Sequence, residues 1–287
     1  MGKNWQELLA LGTAYLDGKG VPDASVAMEL LMARLLKCGR GFLSPHLAAV
    51  PEERLVAALR RGMARLAAGE PVQYVLGEWD FRSLTLSCDR RALIPRPETE
   101  ELVTRVLSFA RTCKNPKPFV VDVGTGSGCI ILSLASEMPD GIFLGIDISA
   151  DAISLASENA ARCGLAEKVK FAVADGLDDF DEPETIDMLV SNPPYVPTAE
   201  CAALDPRIRN FEPMNALDGG RDGLDFYDRL IGDALNVLRP GGGVFFEIGD
   251  GQGAALQKRL FDAGFDGIRI EQDYAGHDRY ASATLRN

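Results

Sequence analysis

Apolar positions along this chain of 287 residues change their spacing twice, and the changes divide it. Residues 4–17 place Trp5, Leu8, Leu9, Leu11 and Leu16 at roughly helical spacing. Pro22-Asp23 opens a second helix carrying Val26, Met28, Leu30, Leu31, Leu35 and Leu36. A third starts at Pro51-Glu52-Glu53, with proline and acids in its first turn and Arg60, Arg61 and Arg65 toward its end. Gly69 closes it, so residues 1–70 are expected to form a small helical domain. Over 71–97 the pattern shortens: Tyr74-Val75-Leu76-Gly77 and Leu84-Thr85-Leu86-Ser87-Cys88 read as strands of a hairpin linker. Pro95-Arg96-Pro97 breaks the chain, and a helix resumes over 98–113.

From Pro118 the pattern alternates strand and helix through a third domain, 98–287. Strands are expected at 119–123, 142–147, 169–173, 186–191, 243–248, 267–272 and 279–285. Helices are expected at 128–138, 150–163, 224–238 and 252–263. This succession predicts an α/β fold: a mostly parallel sheet with helices on both faces. There is no internal repeat and no low-complexity segment.

Composition narrows the class. Hydrophobic content of 46% and charged content of 25% are those of a soluble globular protein. No apolar run approaches the ~20 residues needed to span a bilayer. The N-terminus lacks a signal peptide's apolar core, so a cytoplasmic protein with no membrane association is expected. Six scattered cysteines without C-x-x-C, and two histidines, make a poor inventory for a metal, and none is expected. A serine hydrolase is unsupported, since G-x-S-x-G is absent. The net charge of −12 is lopsided: residues 1–85 carry ten Lys/Arg and nine Asp/Glu, residues 86–287 twenty and thirty-three. The acidic half would repel a phosphate backbone, so no direct nucleic-acid partner is expected.

Two stretches carry candidate chemistry. Val121-Asp122-Val123 runs into Gly124-Thr125-Gly126-Ser127-Gly128 and then a helix. Glycines let the backbone turn sharply and come close to a ligand. The spacing is G-x-G-x-G, not the G-x-G-x-x-G of a dinucleotide fold. Asp147 ends the next strand, where a carboxylate can accept from both hydroxyls of a ribose. Together they fit an adenosine cofactor without a pyrophosphate, and S-adenosylmethionine fits best, with S-adenosylhomocysteine as product. Asp122 could meet its ammonium indirectly, and Asp175-Gly176 could border its adenine. The structural alternatives are a tight strand–helix turn for the glycines, a helix N-cap for Asp147 (a role Ser149 also suits), and a solvated turn before the acidic run 178–184 for Asp175-Gly176.

The second stretch is Asn192-Pro193-Pro194-Tyr195, directly after the expected strand 186–191. Two prolines stiffen the loop and remove two donors, leaving carbonyls free to accept. With the Asn192 side-chain carbonyl they can grip an NH2 that offers two hydrogens, and Tyr195 offers a ring for a planar group. The alternative is a proline-rich turn.

The chain resembles class I S-adenosylmethionine-dependent methyltransferases, and more narrowly the HemK/PrmC family of protein-(glutamine-N5) methyltransferases. The resemblance rests on Gln73-Tyr74-Val75-Leu76-Gly77, Leu93-Ile94-Pro95-Arg96-Pro97-Glu98-Thr99-Glu100, the glycine loop, Ser191-Asn192-Pro193-Pro194-Tyr195, Ala216-Leu217-Asp218-Gly219-Gly220-Arg221-Asp222-Gly223-Leu224, Glu247-Ile248-Gly249 and the tail Ala275-Gly276-His277-Asp278-Arg279-Tyr280. It implies a helical substrate-docking domain, a hairpin linker and a Rossmann-like seven-stranded methyltransferase domain. It also implies a protein substrate, the Gly-Gly-Gln glutamine of peptide-chain release factors. The four residues 192–195 would then be catalytic and substrate-binding. Residues 124–128, Asp147, Asp175, Gly176 and Asn192 would hold the cofactor. Arg96, Pro97 and Glu98 would shape the glutamine pocket, or else form a rigid helix entry with a local Arg96 pair to Glu98 or Glu100. Residues 216–224 read as a substrate-facing loop or a glycine-rich turn, and Glu247 as a cap at the sheet edge. Monomer is the default expectation. The competing functions are an adenine-N6 methyltransferase acting on nucleic acid, which would need a basic channel, and a non-catalytic protein that keeps the fold.

Overall fold

The computed structural model describes residues 2–177, 180 and 183–286; Asp178, Asp179, Asp181 and Glu182 of the acidic run lie outside them. The chain divides into two compact units, Met1–Glu78 with Asp205–Phe211, and Trp79–Leu204 with Glu212–Asn287. The first unit thus runs past the boundary expected at 70 and takes in a short segment from far along the chain.

The long helices of the first unit are Trp5–Asp17, Ala24–Leu36 and Glu53–Ala67. Asn4 and Glu7 cap the first reciprocally, each side chain bonding the other's backbone N–H at 2.9 Å. Trp5, Leu16, Met28, Met32, Leu59 and Leu66 form its core. One expectation fails here. Tyr74-Val75-Leu76 is not a strand but part of a helix, Val72–Leu76, entered from Pro71 and closed by Gly77 at φ 74°. The two-stranded sheet lies further on, β1 (Glu78–Phe81) with β2 (Leu84–Ser87).

The second unit holds a seven-stranded sheet of β3 (Phe119–Val123), β4 (Ile142–Asp147), β5 (Val169–Val173), β6 (Ile186–Ser191), β7 (Leu238–Glu247), β8 (Phe265–Gln272) and β9 (Asp278–Leu285). Its order is β5-β4-β3-β6-β7-β9-β8. Pairings from β5 to β7 are parallel, and β9 runs antiparallel to both β7 and β8.

The central strands β3 and β6 are buried on both faces, which is why they read as largely apolar runs, each interrupted by a single aspartate, Asp122 or Asp187. Val121, Leu189, Val244 and Phe246 point to one face, beneath helices Asp225–Val237 and Gly253–Asp262. Val120, Met188, Val190 and Phe245 point to the other, beneath Pro97–Ala110 and Cys129–Glu137. From β3 the chain winds outward through β4 to β5, then returns to β6 on the far side of β3. The reversal opens a crevice at the carboxyl ends of β3, β4 and β6, the general place for a ligand in such sheets. Among the described residues no helix is long and apolar enough to cross a membrane.

Candidate functional site

The crevice is an open cleft of about 820 Å³, solvent-filled mouth included. Residues after three strands line it: Gly124, Thr125, Gly126 and Ser127 after β3, Asp147 at the end of β4, and Asn192 and Pro194 after β6. Arg91 to Arg96 supply another wall, and Pro213, Asn215 and Ala216 a further one. Gly128, Pro193, Tyr195, Pro97 and Glu98 do not line it, nor do Asp175 and Gly176.

The glycine loop is tied to β4. The amides of Gly124 and Thr125 both donate to the Ile146 carbonyl, at 2.8 and 2.9 Å. Gly126 N–H donates to Asp147 Oδ2 and Ser149 N–H to Asp147 Oδ1, both at 2.9 Å. Gly124 sits at φ 73° with open space where a side chain would begin, so the bare backbone faces the cleft. Asp147 is not the N-cap of the following helix; Ser149 is, accepting from the Ala152 amide. Each Asp147 oxygen takes one amide and keeps lone-pair capacity for a ligand hydroxyl. Burial raises its pKa, and the two amides offset part of that.

Beneath the loop, Asp122 is fully buried and accepts from Thr125 Oγ1 at 2.6 Å. Its Oδ1 makes no hydrogen bond of full geometry, an acceptor left over next to the cleft. Burial pushes Asp122 up to about 7, with the Asp147 charge adding to it. In the unfolded chain an aspartate titrates near ~3.9. The folded state therefore holds the proton more tightly, and the stability this contributes is present at acid pH and lost as pH rises through about 7. Asp122→Asn should gain in thermal midpoint over the wild type between pH 5 and pH 8. Paired melting curves check this; a difference that stays flat with pH would count against it.

Two apolar residues face the cleft that sequence reasoning passed over. Ile148 is 60% exposed and Phe226 37% exposed, and both line the cleft. Phe226 had a signal: it falls off the stripe of Tyr227, Leu230, Ile231 and Ala234 that buries its helix. Asp175 and Gly176 are engaged elsewhere. Arg229 donates to the Asp175 carboxylate at 2.6 Å and to its carbonyl, and the guanidinium lies against Gly176.

The loop after β6 is held on several sides. Ser191 Oγ donates to the Val123 carbonyl at 2.6 Å, locking the end of β6 to that of β3. Asn192 Nδ2 donates to Thr99 Oγ1 at 3.2 Å, and Thr99 donates to Glu247 Oε2 at 2.6 Å. Among the described residues nothing donates to Asn192 Oδ1 or to the Pro193 carbonyl. The Tyr195 phenol is pushed up to about 12 by burial and the Glu247 charge, against the pull of Arg279 and Arg96. Gln252 Nε2 bonds the carbonyls of Tyr195 and Gly223, at 3.0 and 3.2 Å.

Residues 216–224 resolve into two roles. Ala216 lines the cleft, whereas the glycines pack behind the Asn192–Tyr195 turn. A Cβ on Gly219 would lie 2.6 Å from the Pro194 carbonyl oxygen, and one on Gly223 2.2 Å from that of Tyr195. Gly223 also needs its φ of 77°. Gly223→Ala should therefore shift the loop, lowering turnover and costing about 1–3 kcal/mol in stability. Gly232→Ala is the control, because open space surrounds that helical glycine; it should leave turnover intact and stabilise slightly.

The wall around Ile94 also differs from expectation. Arg96 does not pair locally with Glu98 or Glu100; its Nη2 donates to Glu212 Oε1 at 2.5 Å. Glu212 Oε2 takes the Ile94 amide at 3.0 Å. A buried carboxylate from far along the chain thus clamps this segment against the cleft. Pro97 opens the helix as expected of a first-turn residue, and the Glu98 carbonyl accepts from Tyr280 Oη at 2.8 Å. Among the described residues no group of three or more His, Cys, Asp or Glu is placed to hold a metal ion.

This geometry agrees with what the chain is similar to. A PrmC N-terminal domain model matches residues 7–77, and a methyltransferase domain model residues 115–264. The release factor glutamine methyltransferase of Geobacter sulfurreducens is 38% identical over 94% of this chain and 93% of its own length. That of Enterococcus faecalis is 35% identical over 99% and 100%. Among solved structures, a methyltransferase from Pyrococcus furiosus aligns with TM-score 0.52 at 16% identity, over 82% of this chain and all of that one. The hMettl16 catalytic domain in complex with MAT2A 3'UTR hairpin 6 aligns with TM-score 0.57 at 19% identity, over 77% and 81%. Those two likenesses show the fold alone. Full-length identity to its relatives, over both the helical and the methyltransferase regions, places this chain in the release factor glutamine methyltransferase family.

Proposed function

We propose that this protein transfers a methyl group from S-adenosylmethionine to the side-chain amide N5 of the Gly-Gly-Gln glutamine in peptide-chain release factors. The observation that carries the reading is the pair of unused acceptors, Asn192 Oδ1 and the Pro193 carbonyl, on a loop stiffened by two prolines beside the cleft. Relatives that share the whole length of the chain carry the name of this activity.

The cleft suits the cofactor. Asp147 offers lone pairs to ribose hydroxyls, the bare backbone at Gly124 allows close approach, and Asp122 beneath the loop favours an ammonium. Ile148 and Phe226 offer apolar contact for an adenine. When bound, S-adenosylmethionine supplies an electrophilic methyl and leaves as S-adenosylhomocysteine.

The chain's own residues have to orient a poor nucleophile. A carboxamide nitrogen delocalises its lone pair into the carbonyl. Asn192 Oδ1 and the Pro193 carbonyl accept its two hydrogens, which aims the lone pair into the cleft and favours sp3 character. Tyr195 packs against the substrate backbone. Positioning of this kind is worth several kcal/mol. No strong base is needed beforehand: as the N–C bond forms and the S–C bond breaks, the N–H proton becomes acidic and is lost to solvent. The helical unit serves to dock the factor. A nucleic-acid substrate fits poorly with the excess of acid over residues 86–287.

The test is a methyl-transfer assay with labelled S-adenosylmethionine and a bacterial-type release factor, beside the factor's Gln→Ala variant in Gly-Gly-Gln. Label on the normal factor alone supports the reading. Label on both, or on neither, refutes it.

A further inference from the structure

We propose that Thr99 and Glu247 are positioning residues that fix which end of the Asn192 carboxamide faces the substrate. This rests on the amide-methylation reading above. An asparagine amide can turn over, exchanging oxygen for NH2 at almost no steric cost. For Asn192 the two orientations are opposite in effect. Oδ1 toward the substrate accepts a hydrogen from the substrate amide. Nδ2 toward the substrate sets one NH2 against another, two donors with no acceptor between them.

Nothing within Asn192-Pro193-Pro194-Tyr195 decides between them; the decision is made behind it. Thr99 has a single hydroxyl hydrogen, and the geometry gives it to Glu247 Oε2 at 2.6 Å. Its oxygen can then only accept, so the Asn192 group 3.2 Å away must be the Nδ2 donor. That leaves Oδ1 pointing away from Thr99. The relay is buried at the cleft wall, with Thr99 and Glu247 each 2% exposed, which limits competition from water for either bond.

Three separate elements bring the groups together: the first turn of helix Pro97–Ala110, the end of β7 and the residue after β6. Glu247 is itself fixed, its carbonyl accepting from Tyr227 Oη at 2.7 Å. Burial pushes its carboxyl up to about 7, against the Thr99 hydrogen bond and the Arg279 and Arg96 charges, and as the carboxylate it is the terminal acceptor of the chain.

The experiment compares Thr99→Val, which keeps the shape and removes the hydroxyl, with Thr99→Ser, which keeps the hydroxyl. With labelled S-adenosylmethionine and release factor, Thr99→Val should lower kcat about 10- to 100-fold. KM for the factor and calorimetric affinity for S-adenosylhomocysteine should change less than about threefold. Thr99→Ser should recover most of the rate. On an Asn192→Ala background Thr99→Val should cost nothing further, since its effect passes through Asn192. A substrate-free readout accompanies these. In 15N-asparagine-labelled protein the Asn192 side-chain NH2 should exchange faster with solvent in Thr99→Val than in the wild type or in Thr99→Ser. Unchanged exchange, full turnover in Thr99→Val, or an equal further loss on the Asn192→Ala background would each overturn the relay. A wild type that leaves the factor unlabelled while exchange still responds to Thr99→Val would refute the substrate reading and keep the relay's polarity.

Discussion

Asn192→Ala should reduce turnover by about 10²–10³-fold, the scale for losing one pre-aimed hydrogen-bond partner in a closed site. The substitution removes the Oδ1 acceptor and leaves the Pro193 carbonyl as a single point of attachment. An amide held by one bond can swing about it, and its lone pair no longer has a fixed direction. Cofactor affinity should hardly change, because Asp147 and the glycine loop are secured by their own backbone bonds to β4 and to Ser149. Stability should fall by no more than about 1 kcal/mol. The one bond lost is to Thr99, which still donates to Glu247. Steady-state kinetics together with calorimetric titration of S-adenosylhomocysteine separate these effects. Near-normal kcat would sink the proposed mechanism, and a parallel collapse of cofactor binding would move Asn192 into the cofactor site.

The division between what the sequence discloses and what it hides follows the range of the interactions. Strands of a sheet covered by helices announce themselves as short, largely apolar runs, and β3 to β6 fall where those runs place them. Glycines followed by a strand-end aspartate are likewise a local pattern, and the cleft forms where that pattern points. Val72–Leu76 misleads because five residues carry too little period to separate helix from strand, and valine and tyrosine favour the latter. The better signal was its punctuation, Pro71 before and Gly77 after. Glu212 and Glu247 could not be paired from sequence. Their partners lie 118 and 148 residues away, and a lone glutamate near a strand end or loop carries no mark of the residue it will meet. The glycines at 219 and 223 misled in the opposite way. They suggested a loop open to substrate, whereas tight contact with the Pro194 and Tyr195 carbonyls is what excludes a side chain there.

Glu212→Ala should be the most damaging change away from the proposed chemistry, costing about 3 kcal/mol. The carboxylate does two things at once: Oε2 satisfies the Ile94 amide and Oε1 meets Arg96. Removing it orphans a buried N–H, worth about 1–3 kcal/mol. It also strips Arg96 of its counter-charge. Breaking a fully buried pair costs about 3–5 kcal/mol, but the Arg96 side chain is 30% exposed and water recovers part of that. For a unit of this size about 3 kcal/mol lowers the thermal midpoint by roughly 6–12 °C. Arg96→Ala alone should cost less, since Glu212 keeps the Ile94 amide. The double variant should fall little beyond Glu212→Ala, because the shared bond has already gone. Melting curves of the three variants give the coupling directly. The same loss frees residues 92–96, which line the cleft, so cofactor affinity should fall with stability in Glu212→Ala, opposite to Asn192→Ala, where affinity holds and turnover fails. Retained cofactor affinity in a destabilised Glu212→Ala would mean that the clamp serves the fold and not the site.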